Sequence, residues 1–154
     1  MIRYLPLLTL VFALAGCGDF LTRLNGYPET DTSINVETAT PNEIADALSQ
    51  LAHIAVIGDD WEFLDPNDAC TVHVIDKSAD ESYPLHLQGA TFTLQHDKAS
   101  KNYYALMHRG GQLVYGHDQK PLRLFETDSY HDVFFAEGYL LALAKKCQQG
   151  LRAH

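Results

Sequence analysis

The chain has 154 residues, of which 46% are hydrophobic and 20% are charged, and its formal net charge is −9. This length suits a single domain of ordinary size with its own core. The acidic balance disfavours nucleic acid and anionic lipid as partners, and it favours either a partner with a basic surface or solubility alone.

The first sixteen residues have the layout of a secretory signal peptide. One positive charge, Arg3, precedes an apolar run from Leu5 to Leu14, and small residues follow the run. A transmembrane helix needs about 20 residues, so this run is too short to span a bilayer. The alternative is a buried helix in a cytosolic protein. Because Arg3 is the only charged residue before Cys17, the chain from Cys17 onward carries a net charge of −10.

The sequence Leu-Ala-Gly-Cys at residues 14–17 resembles the lipobox of bacterial lipoproteins. This resemblance covers residues 1–17 and implies cleavage before Cys17, a diacylglyceryl group on its sulfur and usually a third acyl chain on its amine. Two or more acyl chains anchor a protein stably to a membrane. In the family's sorting rule, an aspartate directly after the cysteine favours the inner membrane. Gly18 occupies that position, so we expect an outer-membrane anchor facing the periplasm, with the inner membrane as the alternative.

Two further cysteines, Cys70 and Cys147, remain after lipidation of Cys17. An even pair in an oxidising compartment predicts a disulfide. Two free thiols or a metal-binding pair are the alternatives.

The chain divides into three predicted parts. A signal peptide over residues 1–16 precedes a lipidated N-terminus and flexible tether over residues 17–39, which are rich in turn-forming residues and lack a sustained period. A single globular domain over residues 40–154 follows. It opens with a helix in which Thr40 and Glu43 form a capping box, and Gly58 is expected to end this helix.

Residues 59–68 form a predicted acidic loop that carries the only tryptophan of the chain. Aromatic side chains anchor protein interfaces, and surrounding carboxylates steer a basic partner toward them. The alternative is that the two aromatic side chains fold inward and cap the core. A calcium site is disfavoured, because the acids do not have the spacing of an EF-hand loop or its central glycine. The predicted partner-binding residues are Asp59, Asp60, Trp61, Glu62 and Phe63.

Apolar residues alternate with polar ones through most of the chain between residues 70 and 125, which predicts antiparallel strands. Gly110-Gly111 predicts a tight hairpin, and Gly89 suggests a bulge. The alternating stretches that predict these strands are Cys70–Val74, Leu85–Leu94, Asn102–His108, Leu113–Tyr115 and Pro121–Phe125.

Ser129 is predicted to cap a last helix that runs to about Gln148. Its apolar stripe is widened by Phe134 and Leu141, and Gly138 suggests close approach to the sheet. The predicted fold is therefore a two-layer α+β domain. In it, a meander sheet of about five or six antiparallel strands packs an N-terminal and a C-terminal helix on one face.

Sequence motifs for catalysis are absent. The chain has no Gly-x-Ser-x-Gly, His-Glu-x-x-His or Cys-x-x-Cys, so we predict no catalytic residue, no cofactor and no metal site. Ser129 is followed by His131 and Asp132, but neighbouring helical residues point about 100° apart and cannot form a relay among themselves. A triad assembled from distant residues is left open by a single sequence.

These features favour a non-enzymatic binding lipoprotein of the periplasm. Its sharpest form is an antagonist, either an immunity protein or an inhibitor, which occludes a toxin or hydrolase that presents a basic surface to it. The alternatives are a structural or assembly lipoprotein of an envelope or secretion complex and, less favoured, a small-ligand carrier or enzyme with a pocket under the sheet.

Overall fold

The computed structural model describes residues 34–65, 67–77, 80–116 and 118–152. They form a mixed α+β fold of two helices and two antiparallel sheets, as the sequence predicted in outline. The predicted signal peptide, the predicted lipidation site at Cys17 and the predicted tether up to residue 33 lie outside the described residues. Among the helices described, none has the length and apolar character needed to cross a membrane.

The first helix, α1, spans Pro41–Ile54 and confirms the predicted capping box. The Thr40 hydroxyl accepts a hydrogen bond from the Glu43 backbone N–H at 3.3 Å, and the Glu43 carboxylate accepts one from the Thr40 N–H at 2.6 Å. The helix ends four residues before Gly58. The chain then unwinds through Val56 and Gly58, which both have positive φ, at 62° and 80°.

The first sheet has the order β1-β2-β3, with β1 at Asp59–Glu62, β2 at Thr71–Asp76 and β3 at Glu81–His86. The strand β1 lies where the sequence predicted only a loop. Aspartate and glutamate are depleted in strands, so their low strand propensity argued against a strand at these residues. Pairing with β2 and hydrogen bonding to α1 create the strand instead.

The second sheet is built around β5, at Tyr103–Arg109, which pairs β4 (Ala90–His96) on one side. On its other side it pairs β6 (Gln112–Leu113) and β7 (Arg123–Thr127). The Gly110-Gly111 hairpin is confirmed, since both glycines have positive φ and join β5 directly to β6.

The predicted bulge at Gly89 is instead a turn between two sheets. Gly89 has φ +67°, and the Ala90 N–H donates to the Leu87 carbonyl at 3.0 Å. The strands β3 and β4 on either side of it therefore belong to different sheets. Within the described ranges, seven strands in two sheets replace the predicted single meander of five or six. The alternation is the same in both arrangements, so the pattern alone could not show the break.

The last helix, α2, spans Tyr130–Arg152, and Ser129 caps it by accepting a hydrogen bond from the Asp132 N–H at 3.4 Å. The helix α1 packs against β1, while α2 packs against β4, β5 and β7, and the two helices also contact each other. One core joins these elements. Among its largest fully buried side chains are Ile44, Leu48, Trp61, Val72, Val74, Leu87, Met107, Leu124, Val133, Leu140 and Leu143.

The predicted disulfide is present. Cys70, just before β2, is bonded to the fully buried Cys147 of α2, with a Cα–Cα distance of 4.7 Å. The bridge links α2, which packs on the second sheet, to the residue just before β2 of the first sheet. The bridge therefore links the two halves of the domain covalently.

The end of the predicted tether packs on the domain. Ile34, Val36 and Ala39 are partly buried against the core. Glu37 forms an ion pair with Lys145 of α2 at 3.0 Å. The described chain thus arrives alongside α2.

Candidate functional site

The predicted partner-binding segment coincides with β1, which forms one edge of the first sheet. A hydroxyl on α1 holds this edge in place. The Ser49 Oγ accepts a hydrogen bond from the Trp61 N–H at 2.7 Å and donates to the carbonyl of Ala45 at 3.1 Å. The acidic segment is therefore fixed to a helix and a strand rather than carried on a loop.

Both aromatic side chains of this segment turn inward, as in the alternative interpretation. Trp61 is only 2% exposed and belongs to the core. Phe63 is half-buried and packs against the same core. The Trp61 indole N–H is buried and has no hydrogen-bond partner among the described residues. What this segment presents to solvent is thus chiefly its carboxylates.

A row of carboxylates crosses the end of the first sheet. Asp59 of β1 lies directly opposite Asp76 of β2, and Asp76 lies directly opposite Glu81 of β3. Like charges directly opposite each other are destabilising in an antiparallel pair. We call Asp59, Asp76 and Glu81 the carboxylate row.

The electrostatics of the row disfavour the ionised form of Asp59. Burial, followed by the negative charges of Asp76 and Asp60, raises the pKa of Asp59 to about 6. Burial, followed by the negative charges of Asp59 and Asp76, raises the pKa of Tyr83 to about 12. A strongly perturbed carboxyl held by specific neighbours is a feature of functional sites, although structural networks also produce it.

Asp60 behaves in the opposite way. Hydrogen bonding from the Lys77 ammonium lowers its pKa, and His53 contributes further through a 2.8 Å contact between Nε2 and Oδ1. Asp60 is thus a charged group with two basic neighbours, while Asp59 beside it is poised to exchange a proton. Glu62, the last acid of the segment, is exposed on the same strand.

A second surface lies at the start of α2. Alternation along the strand predicted that one ring of Tyr103-Tyr104 faces outward, with strand propensity as the alternative explanation, but the helical members of this surface were not predicted. At the start of α2, three aromatic side chains are about half exposed: Tyr130 at 48%, Phe134 at 53% and Phe135 at 47%. Behind them, Tyr103 of β5 contacts the Tyr130 ring edge-on at 5.4 Å and stacks on the His96 ring of β4 at 4.5 Å. We define the aromatic surface as His96, Tyr103, Tyr130, His131, Phe134 and Phe135.

The prediction that Phe134 and Leu141 widen the core stripe of α2 is wrong, because both side chains are exposed. The buried arc of the helix runs instead through Val133, Ala136 and Leu140. This helix is apolar over more of its circumference than the core can cover. That excess was the signal available in the sequence.

The prediction for Gly138 is also wrong. Gly138 is exposed, and a Cβ placed there would meet no atom within 4 Å, so the glycine does not allow a close approach to the sheet. It lies instead in a shallow groove of about 270 Å³, which is also lined by Leu141, Lys145, Val36 and Glu37. The groove extends the exposed face of α2 toward the point where the described chain begins.

Hydroxyl and imidazole groups elsewhere in the described ranges make structural hydrogen bonds. Ser129 serves as a helix cap. Thr71 contacts the Nδ1 of His86 at 3.2 Å, and Thr93 contacts the Nε2 of His108 at 3.0 Å, both as exposed cross-strand pairs. No group of three or more histidine, cysteine, aspartate or glutamate residues there could hold a metal ion.

Neither a family model, nor a curated protein, nor a solved structure matches the chain. The two surfaces themselves are therefore the basis for assigning a function.

Proposed function

We propose that the protein is an envelope-anchored binding lipoprotein that faces the periplasm and antagonises a toxin or hydrolase acting there. The observation that carries the proposal is the carboxylate row, together with Asp60 and Glu62, at the end of the first sheet. Its negative charge at neutral pH suits the basic cleft of an envelope-attacking enzyme.

Two features support the compartment. The lipobox resemblance ending at Cys17 favours export and an acyl anchor, and Gly18 directly after it favours the outer membrane over the inner membrane. The Cys70–Cys147 bridge fits an oxidising compartment, since disulfides persist there and are rare in the cytosol.

The charge arrangement supports the kind of partner. A surface lined by one sign of charge accelerates encounter with an oppositely charged protein. A cationic side chain placed beside Asp59 and Asp76 would relieve their mutual repulsion. Because this favours the ionised form of Asp59, binding would release a proton below about pH 6, and affinity would fall as the pH drops through that value.

The test is capture of partners by the full-length, C-terminally tagged lipoprotein from cross-linked cells of its own source. We expect a basic periplasmic or secreted protein whose enzymatic activity falls when the lipoprotein is added. The double variant Asp59→Asn, Glu62→Gln should reduce capture roughly tenfold. The control variant Asp118→Asn, Asp128→Asn changes the net charge equally on other elements and should retain capture.

Recovery of outer-membrane or secretion components, with no inhibition of any enzyme, would favour the assembly alternative instead. Equal loss of capture in both double variants would mean that only overall charge matters. The first result would contradict the proposed antagonism, and the second would contradict the proposed role of the carboxylate row.

A further inference from the structure

We propose that the aromatic surface docks onto the interfacial region of a phospholipid bilayer, which lays α2 against the membrane and leaves the first sheet facing the periplasm. The inference rests on the lipid anchor of the proposed function, but it does not depend on which protein the carboxylate row binds.

The aromatic surface has the composition of a membrane interface. Tyrosine rings concentrate at the headgroup level of bilayers, where an apolar ring and a polar tip are both accommodated. Tyr130, Phe134 and Phe135 are about half exposed, and Leu141 extends the same helix face at 42% exposure. A contiguous apolar patch of this kind on an otherwise acidic domain indicates a contact surface.

The rings are held in place by one another and by the sheet. Tyr130 and Phe134 stack at 6.1 Å, and Phe134 meets Phe135 edge-on at 6.0 Å. The Glu137 carboxylate accepts a hydrogen bond from the Leu94 N–H of β4 at 3.1 Å, which fixes the same segment of the helix. Docking would therefore require little ordering of these side chains.

The position of the anchor points to lipid as the occupant. The Tyr139 phenol hydrogen-bonds the backbone of Ile34, and both Lys145 and Lys146 contact Glu37, so the chain coming from Cys17 reaches the domain alongside α2. Nine residues of helix separate Tyr139 from Tyr130, which is about 13 Å along the axis. The 17 residues from Cys17 to Ile34 can span at most about 60 Å, at roughly 3.5 Å for each residue. The aromatic surface is thus within reach of the membrane that holds the acyl chains.

The local charges also permit this contact, despite the net charge of the chain. Exposed Lys98 and Lys101 lie in the turn between His96 and Tyr103, next to the aromatic surface. The carboxylate in that turn, Asp97, is paired with Arg123 at 3.1 Å. Lysines flanking aromatic side chains suit zwitterionic headgroups, whose phosphates accept hydrogen bonds from ammonium and phenol groups.

The test places a fluorescent reporter on the aromatic surface of the intact lipidated protein. Phe134→Trp is compared with the parent protein in vesicles of phosphatidylethanolamine and phosphatidylcholine, prepared with or without brominated acyl chains. The parent supplies the background, because its single tryptophan, Trp61, is buried. The matched control is Leu64→Trp, at an exposed apolar position that follows β1.

We expect the tryptophan at position 134 to emit at shorter wavelength in vesicles than in detergent-free buffer and to lose intensity with brominated lipid. The tryptophan at position 64 should keep the emission of a water-exposed indole in both vesicle preparations. The intact mass, measured before reconstitution, shows whether acyl chains are attached. It therefore tests the lipid anchor separately from the membrane contact of the aromatic surface. Absence of acyl chains would overturn the anchor, and with it the proposed function.

An acylated, vesicle-bound protein whose position-134 tryptophan behaves like the one at position 64 would overturn the membrane contact alone. A blue shift that appears only after envelope proteins are added would assign the aromatic surface to a protein partner and would equally overturn it.

Discussion

Replacing Asp59 by asparagine should stabilise the protein at neutral pH and leave its stability nearly unchanged at pH 4. In the folded protein the pKa of Asp59 is raised from 3.8 to about 6 by burial and by the charges of Asp76 and Asp60. Between about pH 4 and pH 6 the folded protein therefore holds a proton that the unfolded chain has released, and stability falls as the pH rises through this window. Above about pH 6 the cost is complete.

The magnitude follows from the width of that window. At about 1.4 kcal/mol for each pH unit, a difference of two units would cost at most about 3 kcal/mol. Because Asp59 is only partly buried, screening by solvent reduces this figure, and we expect a gain of about 1 kcal/mol for Asp59→Asn at pH 7.5.

The assay is urea unfolding of both proteins at several pH values from 4 to 8, with the carboxyl carbon of Asp59 titrated by NMR. A second variant, Asp76→Asn, should lower the pKa of Asp59 by removing the negative charge that lies opposite it in the sheet. Asp118→Asn is the control, and at neutral pH its effect on the free energy of unfolding should have the opposite sign. The reason is that hydrogen bonds from the Lys120 backbone and side chain lower the pKa of Asp118. A gain for Asp59→Asn that is equal at pH 4 and pH 7.5, or an Asp59 pKa near 4, would refute the reasoning.

Three further predictions concern stability. Replacing both Cys70 and Cys147 by alanine should lower the free energy of unfolding by about 4.5 kcal/mol, since the bridge joins residues 77 apart and so restricts the unfolded chain. A loss under about 1 kcal/mol in urea titrations would contradict this chain-entropy account. Ser49→Ala should cost about 1–3 kcal/mol by leaving the Trp61 N–H without its acceptor, and amide hydrogen exchange at Trp61 should accelerate, whereas unchanged exchange would argue against this contact. Thr40→Ala should cost about 1 kcal/mol by removing the cap of α1, with glycine at the same position costing less in thermal unfolding.

The position of the aromatic surface could not be predicted because a helix that is apolar over most of its circumference has no unique buried side. In the sequence, Val133, Ala136 and Leu140 recur at helical spacing. Tyr130, Phe134 and Leu141 do so as well. Only the packing of α2 against the second sheet selects the first set for the core and leaves the second exposed. The same packing leaves Gly138 in an open groove.

The local features were determined by the sequence itself. The capping box at Thr40, the Ser129 cap and the Gly110-Gly111 hairpin depend on neighbouring residues, so short stretches were enough to predict them. The pairing of Cys70 with Cys147 also followed from the sequence, because only two cysteines remained once Cys17 was assigned to lipid.

Tertiary structure alone decided how these local elements combine. It made a strand of the acidic residues 59–62, turned Trp61 into the core, and set Asp59 opposite Asp76, two residues that are far apart in the chain. It also separated β3 from β4 into different sheets at Gly89. The physical reason is that side-chain alternation specifies which face of a strand is buried but not which strand lies beside it, and that choice is made by the core as a whole.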